Sequence, residues 1–244
     1  DRVSIGCNGL LWHKDFSDIG VSYYYYGDPS ILYPYWKHNY SGKIERNILA
    51  NMLAKKMRKN IDINFFLNLK SYPILRGDNI NYLHHFGEEF TGYNNCNLDS
   101  VFTSTQSALS GMIGIAIYLG FKDIILVGCD HLMRPRSSQH FFEYGELDQV
   151  TAPNVMSEEI LNAAQKFVKL RVVTPNDSYQ GHIIPHIQYD ELTGQSLQFK
   201  ENHEIISKED LSLLRFCGCQ YSITEDEFKK SNEYFSEKTR KLSK

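Results

Sequence analysis

Apolar residues in this chain gather in short runs rich in β-branched and aromatic side chains, separated by longer stretches with helical spacing. The runs lie at about 3–7, 21–26, 63–67, 80–84, 123–127 and 170–173, and each predicts a strand. Between them, residues 44–59 place Ile48, Met52, Leu53 and Met57 on one face and keep Lys55, Lys56, Arg58 and Lys59 largely off it. Residues 104–120 are apolar nearly all round, with Ser110, Gly111 and Gly114 among them. Such a helix is expected to be buried and to approach a sheet closely, with Gly120 as its C-cap. Residues 156–169 open on Ser157-Glu158-Glu159, which suits the positive end of a helix dipole, and carry Ile160, Ala163, Ala164, Phe167 and Val168 on one side.

Strands alternating with helices of this length predict an α/β fold, Rossmann-like, with a mostly parallel sheet covered by helices on both faces. Ile124-Ile125-Leu126-Val127 is continuously apolar, as a central parallel strand should be. Residues 1–200 are expected to form this domain, with a lid at about 131–155. Residues 201–244 are expected to form a charged C-terminal helical extension, an exposed helix or arm rather than a second core. The chain begins without methionine, directly on a strand-like run, so an upstream segment is expected.

Composition narrows the possibilities. A formal net charge of -3, from 26 Lys and Arg against 29 Asp and Glu, gives no electrostatic case for nucleic acid. No apolar run approaches the roughly 20 residues of a membrane span, which leaves at most a peripheral association with membrane. Five cysteines at scattered spacings read as reduced thiols in a cytoplasmic protein.

Ligands of open α/β sheets bind beyond the carboxyl ends of the strands. Gly128-Cys129-Asp130-His131 is such an end: Gly128 permits a sharp turn, and Asp130 and His131 follow where the sheet stops. A strand-end Asp can equally cap a turn, and His131 can equally be a surface residue. Asn8, Asp28 and the run Thr174-Pro175-Asn176 stand at further strand ends of the same edge. Residues 134–146 are dense in polar, titratable and aromatic groups, as active-site lids are. Arg134 and Arg136 could pair a phosphate, and His140 could transfer a proton. His182 and His186 are separated by a Pro-containing extended run without a third ligand nearby, so no metal is expected. His84-His85 reads as one packed and one exposed ring. Cys129 reads as a small packing residue rather than a nucleophile.

The run Ser104-Thr105-Gln106-Ser107-Ala108-Leu109, followed by Leu119-Gly120-Phe121-Lys122-Asp123-Ile124-Ile125-Leu126-Val127-Gly128-Cys129-Asp130-His131, resembles the core of the DUF115 (MptE-like) proteins and of the related bacterial sialyltransferases of glycosyltransferase family 42. The likeness covers roughly residues 3–30 and 104–190. It implies a Rossmann-like domain that binds an activated donor, often a cytidine nucleotide. By the same resemblance Asn8 contacts the nucleotide, and Asp28 is the polar residue at the next strand end. Gln106 and Ser107 stand at the helix start, and Asp130 is the strand-end acid.

Two features depart from the family pattern. The opening strand and Gly-rich loop that should precede Val3 are missing. The chain also has no histidine between His140 and His182, where the sialyltransferases carry their base. In a glycosyl transfer, His140 or His131 would take that role.

The reading is a glycosyltransferase-like transferase of bacterial surface-glycan biosynthesis. Its donor is a nucleotide-sugar, CMP-linked in one form, and its acceptor is a glycan. Two alternatives stand beside it: a 6-hydroxymethylpterin pyrophosphokinase-like enzyme, using ATP and Mg with Asp28 and Asp130 facing the metal, and a non-catalytic binding module.

Overall fold

The computed structural model describes residues 2–32, 43–85, 90–94, 96–102, 107–129, 155–174, 183–198, 200 and 202–216. Within them the chain folds as α/β, with every strand pairing parallel. The first sheet has the order β1-β2-β3-β4, built from β1 (Ile5–Cys7), β2 (Tyr23–Tyr26), β3 (Asn64–Asn68) and β4 (Ile80–Leu83). Ile5 pairs with Tyr23, Tyr23 with Asn64, and Phe65 with Ile80. The second sheet has the order β5-β6-β7, from β5 (Asp123–Leu126), β6 (Lys169–Thr174) and β7 (His186–Gln188).

Alternation along the strands feeds two separate cores. Tyr24, Phe65 and Leu67 face one side of the first sheet, where Met52, Leu53 and Met57 of α1 (Lys43–Lys59) cover them. Tyr25, Phe66 and Leu83 face the other side and meet Ile115 of α2 (Ala108–Tyr118). Helices on both faces are therefore present, and the expected apolar stripe of α1 is the one that packs.

The second helix is apolar all round because it serves two cores. Ile115 packs on the first sheet, while Ile113 joins Leu126, Leu170 and Val172 of the second. Gly111 explains how close it lies: a Cβ there would sit 2.6 Å from Tyr25 Cζ. At its C-terminal end Phe121 N–H donates to Ala116 O and Gly120 N–H to Ile117 O, with Gly120 left-handed at φ 88°. This is the expected glycine cap in its two-bond form.

Several expectations need correction. Among the described residues the apolar run 124–127 has one strand neighbour rather than two: β5 stops at Leu126, pairs with β6, and leaves Val127 exposed. The central place belongs to β6, whose Leu170, Val172, Val173 and Thr174 are all buried. The helix expected over 156–169 is α3 (Val155–Ala164). It ends early because Lys169 pairs with Asp123 and begins β6, and Leu161 and Ala164 are fully buried.

Residues beyond 200 also contribute to the core. After α4 (Tyr189–Thr193) come α5 (Asn202–Ile205) and α6 (Lys208–Phe216), and Ile206, Leu211 and Leu214 pack into the α1 core. Lys56 pairs with Asp210 at 2.6 Å, and Lys14 N–H donates to Ile205 O. The charge of this stretch lies outside an apolar stripe, which the overall charge density concealed. Among the described residues no helix is long and apolar enough to cross a membrane.

Candidate active site at the strand ends

In a parallel sheet all carboxyl ends leave at one edge. At the end of β1, Asn8 takes a left-handed conformation, φ 52°, and is exposed. Asn tolerates this better than most residues. The turn is clamped from beneath: the Tyr24 hydroxyl donates to Asn8 O at 2.6 Å and accepts from Leu11 N–H at 3.1 Å. Tyr24 is itself fixed by edge-on packing against Phe16 and by Phe65.

At the end of β2, Gly27 leads to the exposed Asp28. Tyr25 reaches back under this end, so that its hydroxyl is in contact range of the Cβ position of both Gly27 and Gly111. The first turns of α2 are thereby seated at the carboxyl end of β2. Ser107 caps that helix. Its Oγ accepts from Ser110 N–H at 3.1 Å, and Ser110 Oγ accepts from Ser107 N–H at 2.8 Å, a reciprocal capping box. Ser107 is exposed, but its hydroxyl already serves the cap. The N–H groups of Ala108 and Leu109 have no intrahelical acceptor, as follows from their place in the first turn.

The ends of β3 and β4 also carry polar groups. Asn68 ends β3 and His85 follows β4; both are buried. Asn68 Nδ2 lies 2.9 Å from His85 Nε2, which is also 3.3 Å from Gly27 O. One imidazole thus touches the ends of β2 and β3 from the end of β4. His84 is exposed and His85 buried, as expected for the pair. Burial holds His85 below the usual imidazole range, against the pull of the Gly27 carbonyl and aided by Lys70 and His84. Burial also raises the Tyr24 and Tyr25 hydroxyls well above the usual range, and the Cys7 thiol to about 11. Burial thus favours the neutral form of each of these groups beneath the edge.

In the second sheet, Gly128 is left-handed at φ 69° just past β5, the sharp turn expected there. Cys129 is half-buried against the second core, in keeping with a packing role. Thr174 closes β6 fully buried, and its Oγ1 has no partner among the described residues. A concavity of about 450 Å³ opens beyond β7, lined by Gln188, Asp190, Glu191 and Gln195. Its two carboxylates, Asp190 and Glu191, disfavour a phosphate.

Of the expected site residues, Asn8, Asp28, Ser107 and Gly128 stand at strand ends or at the start of α2. Gln106, Asp130, His131, Arg134, Arg136, His140 and Asn176, with the lid up to residue 154, lie outside the described residues. Among the described residues no group of three His, Cys, Asp or Glu side chains could hold a metal ion. Asn68 and Tyr25 carry no expectation from the sequence, and His85 was expected only as a packed ring; Asn68, at the end of β3, answers to the same strand-end rule as Asn8 and Asp28. No protein-family model, curated protein or solved structure matches this chain.

Proposed function

We propose that this chain is a glycosyltransferase-like enzyme of surface-glycan assembly that holds a nucleotide-activated sugar, CMP-linked in form, at the carboxyl edge of the first sheet. The observation that carries this reading is the clamped left-handed turn at Asn8, on the same edge as the opening turn of α2. A preformed turn after the first strand gives a nucleotide a rigid surface. Free N–H groups at a helix start attract phosphate oxygens through hydrogen bonding and the helix dipole together. Asp28 stands at the next strand end, where it would meet the ribose or the sugar. His140 or His131 would take the acceptor proton, a contribution of about 10²–10⁴ in rate.

Thermal-shift titration tests the reading. CMP or CDP without metal is expected to raise the melting temperature, and Asn8→Ala to reduce that rise. Stabilisation by ATP only with magnesium would assign pyrophosphokinase chemistry instead. Indifference to every nucleotide would make the chain a binding module of another kind.

A further inference from the structure

The contacts of His85 determine which of its ring nitrogens carries hydrogen. The Asn68 amide cannot be turned round, because its Oδ1 accepts from Lys70 N–H at 2.9 Å. Its NH₂ group therefore faces His85 Nε2, and that nitrogen must present a lone pair. The longer approach of Gly27 O to the same nitrogen would need a hydrogen there, and one ring nitrogen cannot both donate and accept. In a neutral ring the hydrogen then sits on Nδ1.

That Nδ1–H is buried, in a residue only 8% exposed, and has no acceptor among the described residues. A buried donor left unmade costs roughly 1–3 kcal/mol, and native structures rarely tolerate one without a reason. By strand alternation His85 and Asn68 lie on the face of the sheet shared by Leu83, Phe66 and Tyr25, the face that α2 covers. His85 thus lies on the face of the sheet that α2 covers, at its carboxyl edge.

We infer that His85 is a binding residue whose Nδ1–H donates to an oxygen of the phosphorylated ligand, in a tautomer fixed by Asn68. This rests on the nucleotide reading above and extends it to β3 and β4. It also makes His85 a permanent donor rather than a proton acceptor, so it cannot serve as the base of the reaction.

The test is long-range ¹H–¹⁵N spectroscopy of the full chain labelled in histidine, with CDP and inorganic pyrophosphate as probes. The free protein is expected to show His85 protonated at Nδ1 and bare at Nε2, and either probe to shift the Nδ1 signal saturably. His85→Phe, which keeps a ring, should bind CDP about tenfold more weakly, the scale of one lost hydrogen bond. A hydrogen on Nε2 in the free protein overturns the inference. So does an unmoved Nδ1 signal while CDP binds, or unchanged CDP affinity in the variant; in those cases the nucleotide reading survives. Failure of both probes to bind the wild-type chain overturns the two together. If His85→Phe does not fold, the wild-type spectrum decides.

Discussion

At the scale of single residues, Gly111 has the opposite sign from the one a helix interior would ordinarily give. Glycine inside a helix is usually improved by alanine, by up to about 1 kcal/mol. Here the added methyl would enter the Tyr25 ring. Overpacking of that kind costs about 1–3 kcal/mol. Gly111→Ala is therefore expected to lower the melting temperature by several degrees in a thermal scan, and Tyr25→Ala in the same background to recover part of the packing conflict.

For His85 the folded state disfavours the charged ring, so the unfolded chain binds the extra proton more readily. The contribution to stability is complete above the ordinary histidine pKa of about 6.5 and is lost as pH falls below it. Denaturant unfolding should show stability declining from pH 6.5 towards pH 5, and His85→Phe should flatten that limb. The residue scale is also where the sequence was least informative. Asn8 and Asp28 were legible because each follows an apolar run and a turn signal. Tyr25 lay inside four consecutive tyrosines, and only the parity of the strand decides which of them reaches the edge. Asn68 and His85 depend on the register of β3 against β4, which sequence spacing does not contain.

At the scale of elements, apolar periodicity shows which residues are buried but not which strand lies next to which. The apolar stripe of α1 appears as expected on one core, and the strand runs of the first sheet appear as expected with both faces buried. Residues 124–127 looked like the centre of a sheet by hydropathy alone, yet β5 has one strand partner among the described residues. The three residues of β7 are too few to register as a pattern. The described part of α2 begins at Ala108 behind the Ser107 cap, since the capping box depends on Ser107 and Ser110 rather than on apolar spacing. That cap yields a prediction: Ser107→Ala leaves Ser110 N–H without its acceptor and should destabilise the protein by about 1 kcal/mol in urea unfolding. An unchanged midpoint would mean that the opening turn of α2 is held by packing alone.

At the scale of the molecule, α6 binds the far end of the described chain to its beginning. Leu214 and Ile206 are nearly inaccessible within the α1 core, and His13 bridges to Ile206. Each such buried leucine or isoleucine is worth about 2–5 kcal/mol on truncation to alanine, against a total stability of about 5–15 kcal/mol for a domain. A chain ending at Lys200 is therefore expected to lose cooperative unfolding and to bind hydrophobic dyes, while Leu214→Ala alone should remain folded with a lowered midpoint. A truncated chain with a sharp wild-type transition would restore the boundary first drawn at 200.

The sequential order β1-β2-β3-β4 bears on how the chain assembles. Ile5 has only to find Tyr23, and Phe65 only Ile80, across short 3₁₀ connections, whereas Tyr23 must find Asn64 across the whole of α1. Closing a short loop sacrifices less chain entropy than closing a long one. The two pairs at the edges of the sheet are thus the least expensive contacts to make early, and the β2–β3 pairing that joins them is the slower, less local event. Asn8 and His85 are carried by the two early pairs, and they reach a common edge only when the late one forms.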